Sequence, residues 1–389
     1  MQPVLGAKDL NPKQVEINHL LSKELAKVYK QWGYEEVAPP SLERLPTLMA
    51  GGAISNDDII KVVSDEALGL RPEMTASIAR AASTRFANSP KPLRLWSAGI
   101  IFRNKQGIER GTYIEERLQS GVELFGVKEI SAEIELLLLL LESYRILNLN
   151  KNYKPTLLIG HTKLFDLILS EIEPKLKNLT KDVLTRYDKI GINKLNIDYK
   201  QKNKLSKIID LRGEPLKVIN ELKEIYGPNK ILDKLIRLFK VIEPISRDDK
   251  VNIQLDPTFL PHFELYNGLV FQLVCETINN PIIIARGGRY DEIVRTFSKE
   301  KEQASGVGFS FAIDKIRELL KENNVSNDIK KRVLIAYSDT RLFEDTIEKQ
   351  RKLHNKGYST IIEHKPFKSK KDAIKKMVKR GLNNIEWID

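Results

Sequence analysis

The sequence predicts an α+β protein: one large mixed domain, interrupted by a helical insertion and followed by a small α/β module. Three features carry that reading. Short strand-like runs alternate with amphipathic helices up to about residue 173. From about Pro174 to Ile245 the strand signals give way to Leu/Ile/Lys-rich helical periodicity. After a polar stretch, Glu322–Lys331, strand and helix patterns alternate as βαβαβ through the last 58 residues. The expected division is therefore a core over 1–321, with its insertion at about 174–245, and a module over 332–389.

The elements follow in order. Val15, Leu20, Leu21, Leu25 and Val28 fall at helical spacing between Gln14 and Trp32, and Gly33 stands where a helix should stop. Glu36–Pro40 reads as a short strand ended by proline. Leu70–Thr75 and Leu93–Phe102 read as strands around a helix from about Ala76 to Phe86, and Gly121–Phe125 as another strand. Ser131 and Glu133 open a long helix through Leu147 that is apolar nearly all round and so should be buried. Leu157–Gly160 is strand-like, with Thr162 placed to cap the helix after it. Beyond the insertion, Val251–Leu255, Val270–Val274 and Pro281–Ala285 read as strands, and Gly308 to about Leu320 as a helix. In the module, Val333–Tyr337, Ser359–Glu363 and Asn384–Ile388 are strands. Phe343–Lys356 and Lys370–Arg380 are helices ended by Gly357 and Gly381.

Composition narrows the function classes. The chain has 389 residues, 41% hydrophobic and 30% charged, which suits a globular protein with a sizeable core. The single cysteine, Cys275, excludes a disulfide framework and a cysteine-based zinc site, and reads as a small buried hydrophobe. The longest apolar run, Leu136–Leu141, is far short of the roughly 20 residues that span a bilayer. No apolar stretch marks a secretory signal in Met1–Leu10, so a cytoplasmic location and no membrane partner are expected. The net charge of +12 is mostly scattered, as in Lys200, Lys202, Lys204 and Lys207 among Asp198, Asp210 and Glu214, and reads as solvated helix surface. The tail is more concentrated, with sixteen Lys/Arg against eight Asp/Glu from Lys330 to Asp389.

Four clusters carry the chemistry. In Leu70-Arg-Pro-Glu-Met-Thr75, Glu73 and Thr75 lie two apart on an expected strand, a carboxylate beside a hydroxyl that together suit an ammonium group. Arg103, expected at a strand end before a polar loop Asn104–Tyr113, suits a phosphate or carboxylate through its planar fork. Gln119 and Glu123 share a strand face, with Gly121 between them leaving room for a ligand. Phe263–Gly268 supplies Tyr266, and Arg286-Gly-Gly-Arg-Tyr-Asp291 supplies Tyr290 behind a Gly-Gly turn. Finally, Gly306-Val-Gly-Phe309 enters a helix that carries Lys315. His161 and His262 are isolated and read as satisfied polar histidines. No phosphate loop, dinucleotide fingerprint, hydrolase elbow or metal-spaced histidine pair is present.

In order and spacing these clusters resemble the class II aminoacyl-tRNA synthetase core in its histidyl version, over roughly residues 3 to 320. Gly33–Pro39 resembles the first class motif, Phe102–Gly126 the second and Gly306–Ile316 the third. Arg71-Pro-Glu-x-Thr75, Gln119-x-Gly-x-Glu123 and Gly287-Gly-Arg-Tyr-Asp291 resemble histidine-pocket segments. The resemblance implies a mixed, mostly antiparallel sheet flanked by helices, and a self-dimer through the first motif. It also implies a histidine-sized pocket lined by Glu73, Thr75, Gln119, Glu123, Tyr266 and Tyr290, with Arg103 facing an ATP α-phosphate or a carboxylate.

Three departures bear on activity. Proline stands at Pro261 where the synthetases carry an arginine that stabilises charge on the α-phosphate, a kind of contact worth about 10²–10³ in rate. The third motif reads Asp314-Lys315 in place of Glu-Arg, which keeps charge but loses the planar fork. The C-terminal module ends at its third strand, shorter than an anticodon-binding domain. With Gly6-Ala-Lys-Asp-Leu-Asn-Pro12 and Gly69–Arg80, this combination resembles the ATP phosphoribosyltransferase regulatory subunits, cyanobacterial ones especially. That resemblance implies a non-catalytic partner of the short-form catalytic subunit at the first step of histidine biosynthesis. Histidine would be a ligand and feedback signal, without cofactor, metal or tRNA. The alternative is a divergent, active histidyl-tRNA synthetase. A third reading is an RNA-binding module that uses the basic tail.

Overall fold

The computed structural model describes residues 3–50, 54–107, 111–149, 153–260, 265–277, 280–299, 301, 304–320 and 332–389. Pro261, His262, Phe263, Glu264 and the expected linker Glu322–Lys331 lie outside the described residues. The chain forms two compact units, Met1–Leu319 and Leu320–Asp389.

Helix α1 (Pro12–Gln31) begins with Pro12 and a capping box, in which Asn11 and Gln14 each accept the other's backbone N–H at 3.0 Å. It ends before Gly33, whose φ of +79° reverses the chain. Its buried stripe is Ile17, Leu21, Leu25, Val28 and Tyr29, whereas Val15 and Leu20 are exposed. Strand β1 (Glu35–Glu36) is shorter than the run expected over Glu36–Pro40. Next come β2 (Leu42–Arg44), α2 (Leu45–Met49), β3 (Lys61–Val62) and β4 (Leu68–Leu70), the three strands forming a small antiparallel sheet in the order β2-β4-β3. After α3 (Thr75–Ser83), strands β5 (Leu93–Gly107) and β6 (Gly111–Phe125) form a long hairpin whose register runs unbroken from Leu93 opposite Phe125 to Gly107 opposite Gly111. The polar loop expected over Asn104–Tyr113 is thus mostly paired strand, because cross-strand pairs such as Asn104 with Ile114 continue the ladder.

Helix α4 (Ser131–Ile146) is apolar nearly all round, and Leu136, Leu137, Leu139, Leu140 and Leu141 are fully buried. It packs on the sheet and on α1 on one side and on α10 on the other, so each flank of the helix meets protein. After β7 (Lys154–His161) comes α5 (Thr162–Ile168), and its cap is His161, not the expected Thr162. The His161 Nδ1 accepts the Lys163 N–H at 3.0 Å, while Thr162 is already the first helical residue.

The insertion holds α6 (Lys177–Thr185), α7 (Lys189–Lys194), α8 (Tyr199–Asp210), α9 (Pro215–Tyr226) and α10 (Lys230–Asp248), with no strand among them. Leu184, Ile192, Leu205 and Ile208 pack with Phe165 and Ile168 of α5 into a core of their own.

The sheet then completes with β8 (Asn252–Leu255), β9 (Leu269–Glu276) and β10 (Ile282–Arg289), followed by α11 (Asp291–Phe297), β11 (Gly306–Ala312) and α12 (Ile313–Leu319). Its order is β1-β5-β6-β11-β10-β9-β7-β8. Only the two outermost pairs are parallel, so it is the mixed, mostly antiparallel sheet expected. One face packs on α1 and α4, where Tyr29 meets Trp96 and Phe309 with ring centroids 5.8 and 6.4 Å apart.

The second unit holds β12 (Arg332–Tyr337), α13 (Phe343–Asn355), β13 (Ser359–Ile362), α14 (Lys370–Lys379) and β14 (Asn384–Ile388). Its sheet is parallel with the order β13-β12-β14 and buries Val333, Ile335 and Leu353. Among the described residues no helix is long and apolar enough to cross a membrane.

Leu140→Ala is expected to lower unfolding stability by about 2–5 kcal/mol, since it empties a fully buried site gripped by elements on both sides. Urea denaturation followed by circular dichroism measures it.

Candidate functional site

Every residue of the expected pocket, Glu73, Thr75, Arg103, Gln119, Glu123, Tyr266 and Tyr290, lines one cavity of about 100 Å³ on the sheet. That is several times the roughly 10–15 Å³ that one water needs by the same measure. The walls differ from the expectation in how they are built. Glu73 and Thr75 are not neighbours on a strand. Strand β4 stops at Leu70, and Thr75 is the first residue of α3. Glu73 folds back on the helix start, accepting the Ala76 N–H at 2.8 Å and the Thr75 N–H, so it satisfies two of the helix's free donors. Burial raises its pKa, with those N–H groups and Arg103 opposing.

Arg71, two residues earlier, is structural. Its Nε donates to Ile100 O at 3.0 Å and its Nη1 to Pro39 O at 2.7 Å, which ties the segment before α3 to β5. Arg103 stands inside β5, not at its end, and its Nε donates to Pro72 O at 2.9 Å.

The floor is the strand face on which Arg117, Gln119, Gly121 and Glu123 of β6 alternate with residues that point the other way. Glu123 is the centre of the site. One carboxyl oxygen accepts the Thr75 hydroxyl at 2.7 Å and the other accepts the Tyr290 hydroxyl, which joins β6 to α3 and to the turn after β10. Burial pushes this carboxyl up to about 8. The two hydroxyls pull it down, and the neighbouring Glu73 pushes it further up. Burial also raises both tyrosines, and the carboxylates beside them act the same way. Tyr290 sits edge-to-face against Phe125 with centroids 6.4 Å apart.

Glycines make this arrangement possible, in a way the sequence reading misplaced. Gly306 and Gly308 do not lead into a helix, and Gly287-Gly288 is not a turn. All four lie within β10 and β11, which pair through Gly287 with Phe309 and Gly288 with Gly308. A Cβ on Gly308 would stand 1.8 Å from Glu123 Oε2, one on Gly288 2.6 Å from the Tyr266 ring, and one on Gly306 2.5 Å from the Tyr290 ring. The bare strands thus admit the side chains that line the site. Gly121 answers a different need than room for a ligand. Its Cβ would meet the backbone of β11, with Phe309 O at 2.4 Å.

Among the polar lining residues, Arg117, Gln272, Arg286 and Ser310 were not singled out for the pocket. Gln272 and Arg286 are cross-strand partners on β9 and β10, and Ser310 continues the row on β11. That register depends on long-range pairing, which local spacing does not encode. Burial and the neighbouring Arg103 and Arg117 lower the pKa of Arg286. The cavity is therefore lined by two carboxyl groups, Glu73 and Glu123, and by the guanidinium groups of Arg103, Arg117 and Arg286, whose mutual repulsion an anionic partner would relieve.

Lys315 does not line the cavity. It pairs with Glu318 at 3.0 Å, and Asp314 accepts the Leu118 N–H at 2.9 Å, which fastens α12 to β6. Among the described residues no group of three or more His, Cys, Asp or Glu side chains is placed to hold a metal ion.

The fold is that of a histidyl-tRNA synthetase-like protein: the family profile described as histidyl-tRNA synthetase matches residues 6–316. Curated relatives are more specific. A Prochlorococcus marinus protein is 52% identical over 100% of this chain and 99% of its own, and a Synechococcus protein is 45% identical over 100% and 99%. Both are named ATP phosphoribosyltransferase regulatory subunit. The chain belongs to the family of ATP phosphoribosyltransferase regulatory subunits, on a histidyl-tRNA synthetase-like fold. Among solved structures it is similar to a Bacillus halodurans protein described as an ATP phosphoribosyltransferase regulatory subunit/histidyl-tRNA synthetase. The TM-score is 0.83 at 22% identity, covering 100% of this chain and 98% of that one. It is also similar to a Nostoc histidyl-tRNA synthetase, with TM-score 0.75 at 18% identity, covering 97% and 89%. These two likenesses speak to the fold.

Because folding raises the Glu123 pKa from an ordinary 4.5 to about 8, the native state holds a proton that the unfolded chain releases above pH 4.5. Its contribution to stability is full below that pH and is lost as pH rises through 8. Glu123→Gln is expected to flatten the stability profile between these limits. Urea midpoints measured across that range for both proteins check it, and a parallel slope in the variant would contradict the assignment.

Proposed function

We propose that the cavity beneath α3 is the sensor through which histidine controls the first step of its own synthesis. In this reading the chain is the non-catalytic regulatory subunit of ATP phosphoribosyltransferase and assembles with a short-form catalytic subunit. It also pairs with a second copy of itself through the segment Gly33–Pro39. The observation that carries the reading is that one cavity holds both carboxyl and guanidinium groups. A buried carboxyl, Glu123, held by two hydroxyls, lines it together with Glu73, and so do Arg103, Arg117 and Arg286. A zwitterion with a basic ring complements both kinds of group at once. Its carboxylate meets guanidinium groups able to bind bidentately, and its nitrogens face acceptors.

Regulation needs nothing more than unequal affinity for two states of the assembly. If histidine binds the inhibited arrangement more tightly, it shifts the population toward it, and the partner's substrates weaken histidine binding by the same factor. The Glu123 bonds link the cavity floor to α3 and to the turn before α11, so an occupant that pulls on Glu123 acts on both.

The test is co-expression with the short-form catalytic subunit, purification of the complex, and an assay of phosphoribosyl transfer from phosphoribosyl pyrophosphate to ATP. Transfer should depend on this chain and fall as histidine is added, with no histidine-dependent ATP–pyrophosphate exchange by this chain alone. No complex and no effect on transfer would refute the reading, and exchange activity would point to a divergent synthetase. Glu123→Ala and Tyr266→Phe are separately expected to raise the half-inhibiting histidine concentration by about tenfold or more while the complex still forms. Full histidine inhibition in both variants would move the effector site elsewhere.

A further inference from the structure

A second cavity, of about 230 Å³, opens between the start of α4, the end of β7, the first turns of α10 and the turn 267–269. It shares no lining residue with the first. Its wall is rich in donors. The Arg289 side chain is only 7% exposed. It donates Nε to Glu133 at 2.6 Å and Nη1 to Val127 O at 3.0 Å and Asp291 at 3.2 Å. Its Nη2 is buried without a hydrogen-bond partner. Lys163 and Lys234 line the cavity from α5 and α10, and neither has an ion-pair partner among the described residues. His161 adds a further donor. Its Nδ1 is occupied by the Lys163 N–H, and burial followed by Lys163, Arg289 and Lys234 hold its pKa down at about 3. The ring is therefore neutral, with its proton on Nε2.

Acceptors are mostly spent. Asp291 Oδ1 serves Arg289 and the Gly306 N–H at 3.0 Å. Glu133 Oε2 is buried without a hydrogen-bond partner. A buried donor and a buried acceptor without partners are each costly. They define an occupant that is anionic, accepts several hydrogen bonds and also donates one. A hydrogen phosphate group meets all three conditions. A carboxylate or a sulfate at neutral pH only accepts, and an uncharged sugar leaves the lysines uncompensated.

We propose that this cavity binds a phosphate group, either the free ion or the phosphoryl end of a small metabolite, with Arg289, Lys163, Lys234 and His161 as donors and Glu133 Oε2 as acceptor. The site is separate from the amino-acid cavity and stands whether or not histidine binds there.

Isothermal titration of the full-length chain with inorganic phosphate, ribose 5-phosphate and sulfate at pH 7.5 tests it. Phosphate or ribose 5-phosphate should saturate, and whichever binds tighter identifies the free ion or a phosphorylated metabolite as the source. Sulfate should bind at least tenfold more weakly, since it cannot donate to Glu133. Lys163 and Lys234 are exposed, so their removal leaves the fold intact. The variant carrying Lys163→Ala and Lys234→Ala should lose about 100-fold in phosphate affinity, at roughly tenfold per charge-assisted contact. Arg286→Ala in the other cavity should change it little. Equal affinity for sulfate and phosphate, unchanged affinity in the double variant, or no saturable heat with either phosphate would overturn the proposal.

Discussion

The site depends on one buried acid. Glu123 sits where a carboxylate costs most, and the molecule accommodates it with two hydroxyl donors, a raised pKa and a bare glycine on the adjoining strand. Because those donors come from α3 and from the turn after β10, the acid is also a fastener. Remove it, and Thr75 and Tyr290 lose their partner, the space at Gly308 stands empty and the rim of the cavity loses its anchor. Strand register, helix placement and cavity chemistry meet at this residue.

Much of the fold was legible because it is written locally. The helix stops at Gly33, Gly357 and Gly381 all fall where the chain takes positive φ, and the unrelieved leucines of 136–141 announced a helix with protein on every side. The strands of the second unit could be read from alternating texture, since each is a short apolar run between polar turns. What failed were glycines and short polar segments. Gly306-Val-Gly308 and Gly287-Gly288 look like turn or helix-entry signals, yet they are strand positions; the missing side chains of Gly288, Gly306 and Gly308 are explained by Tyr266, Tyr290 and Glu123 across space, and that of Gly287 by the neighbouring strands. Glu73 and Thr75 were placed on the right cavity by the wrong element. A proline and a two-residue spacing suggest extended chain, and only the backbone N–H bonds of α3 reveal a helix cap.

The candidate site was legible in identity more than in geometry. Seven residues chosen from ordered motifs converge on one cavity. Gln272 and Arg286 were not legible, since they enter it through strand pairing between segments far apart in the chain, whereas Arg117 was overlooked although it shares a strand face with Gln119. Lys315, weighed as a softened catalytic position, is turned toward Glu318 and away from the cavity. Asp314 beside it spends its carboxylate on holding α12 to β6.

The glycine strands have a consequence for how such a protein can change. At Gly288, Gly306 and Gly308 any side chain strikes a residue of the cavity, and at Gly121 and Gly287 it strikes a neighbouring strand. The same backbone positions therefore answer to ligand and to sheet packing together. Selection for folding alone would hold them in place, and with them the outline of the cavity, after any particular chemistry had ceased to matter. A binding site of this construction is hereditary in the material sense. It can lose its reaction through a change at its edge and still be there, intact, for another use.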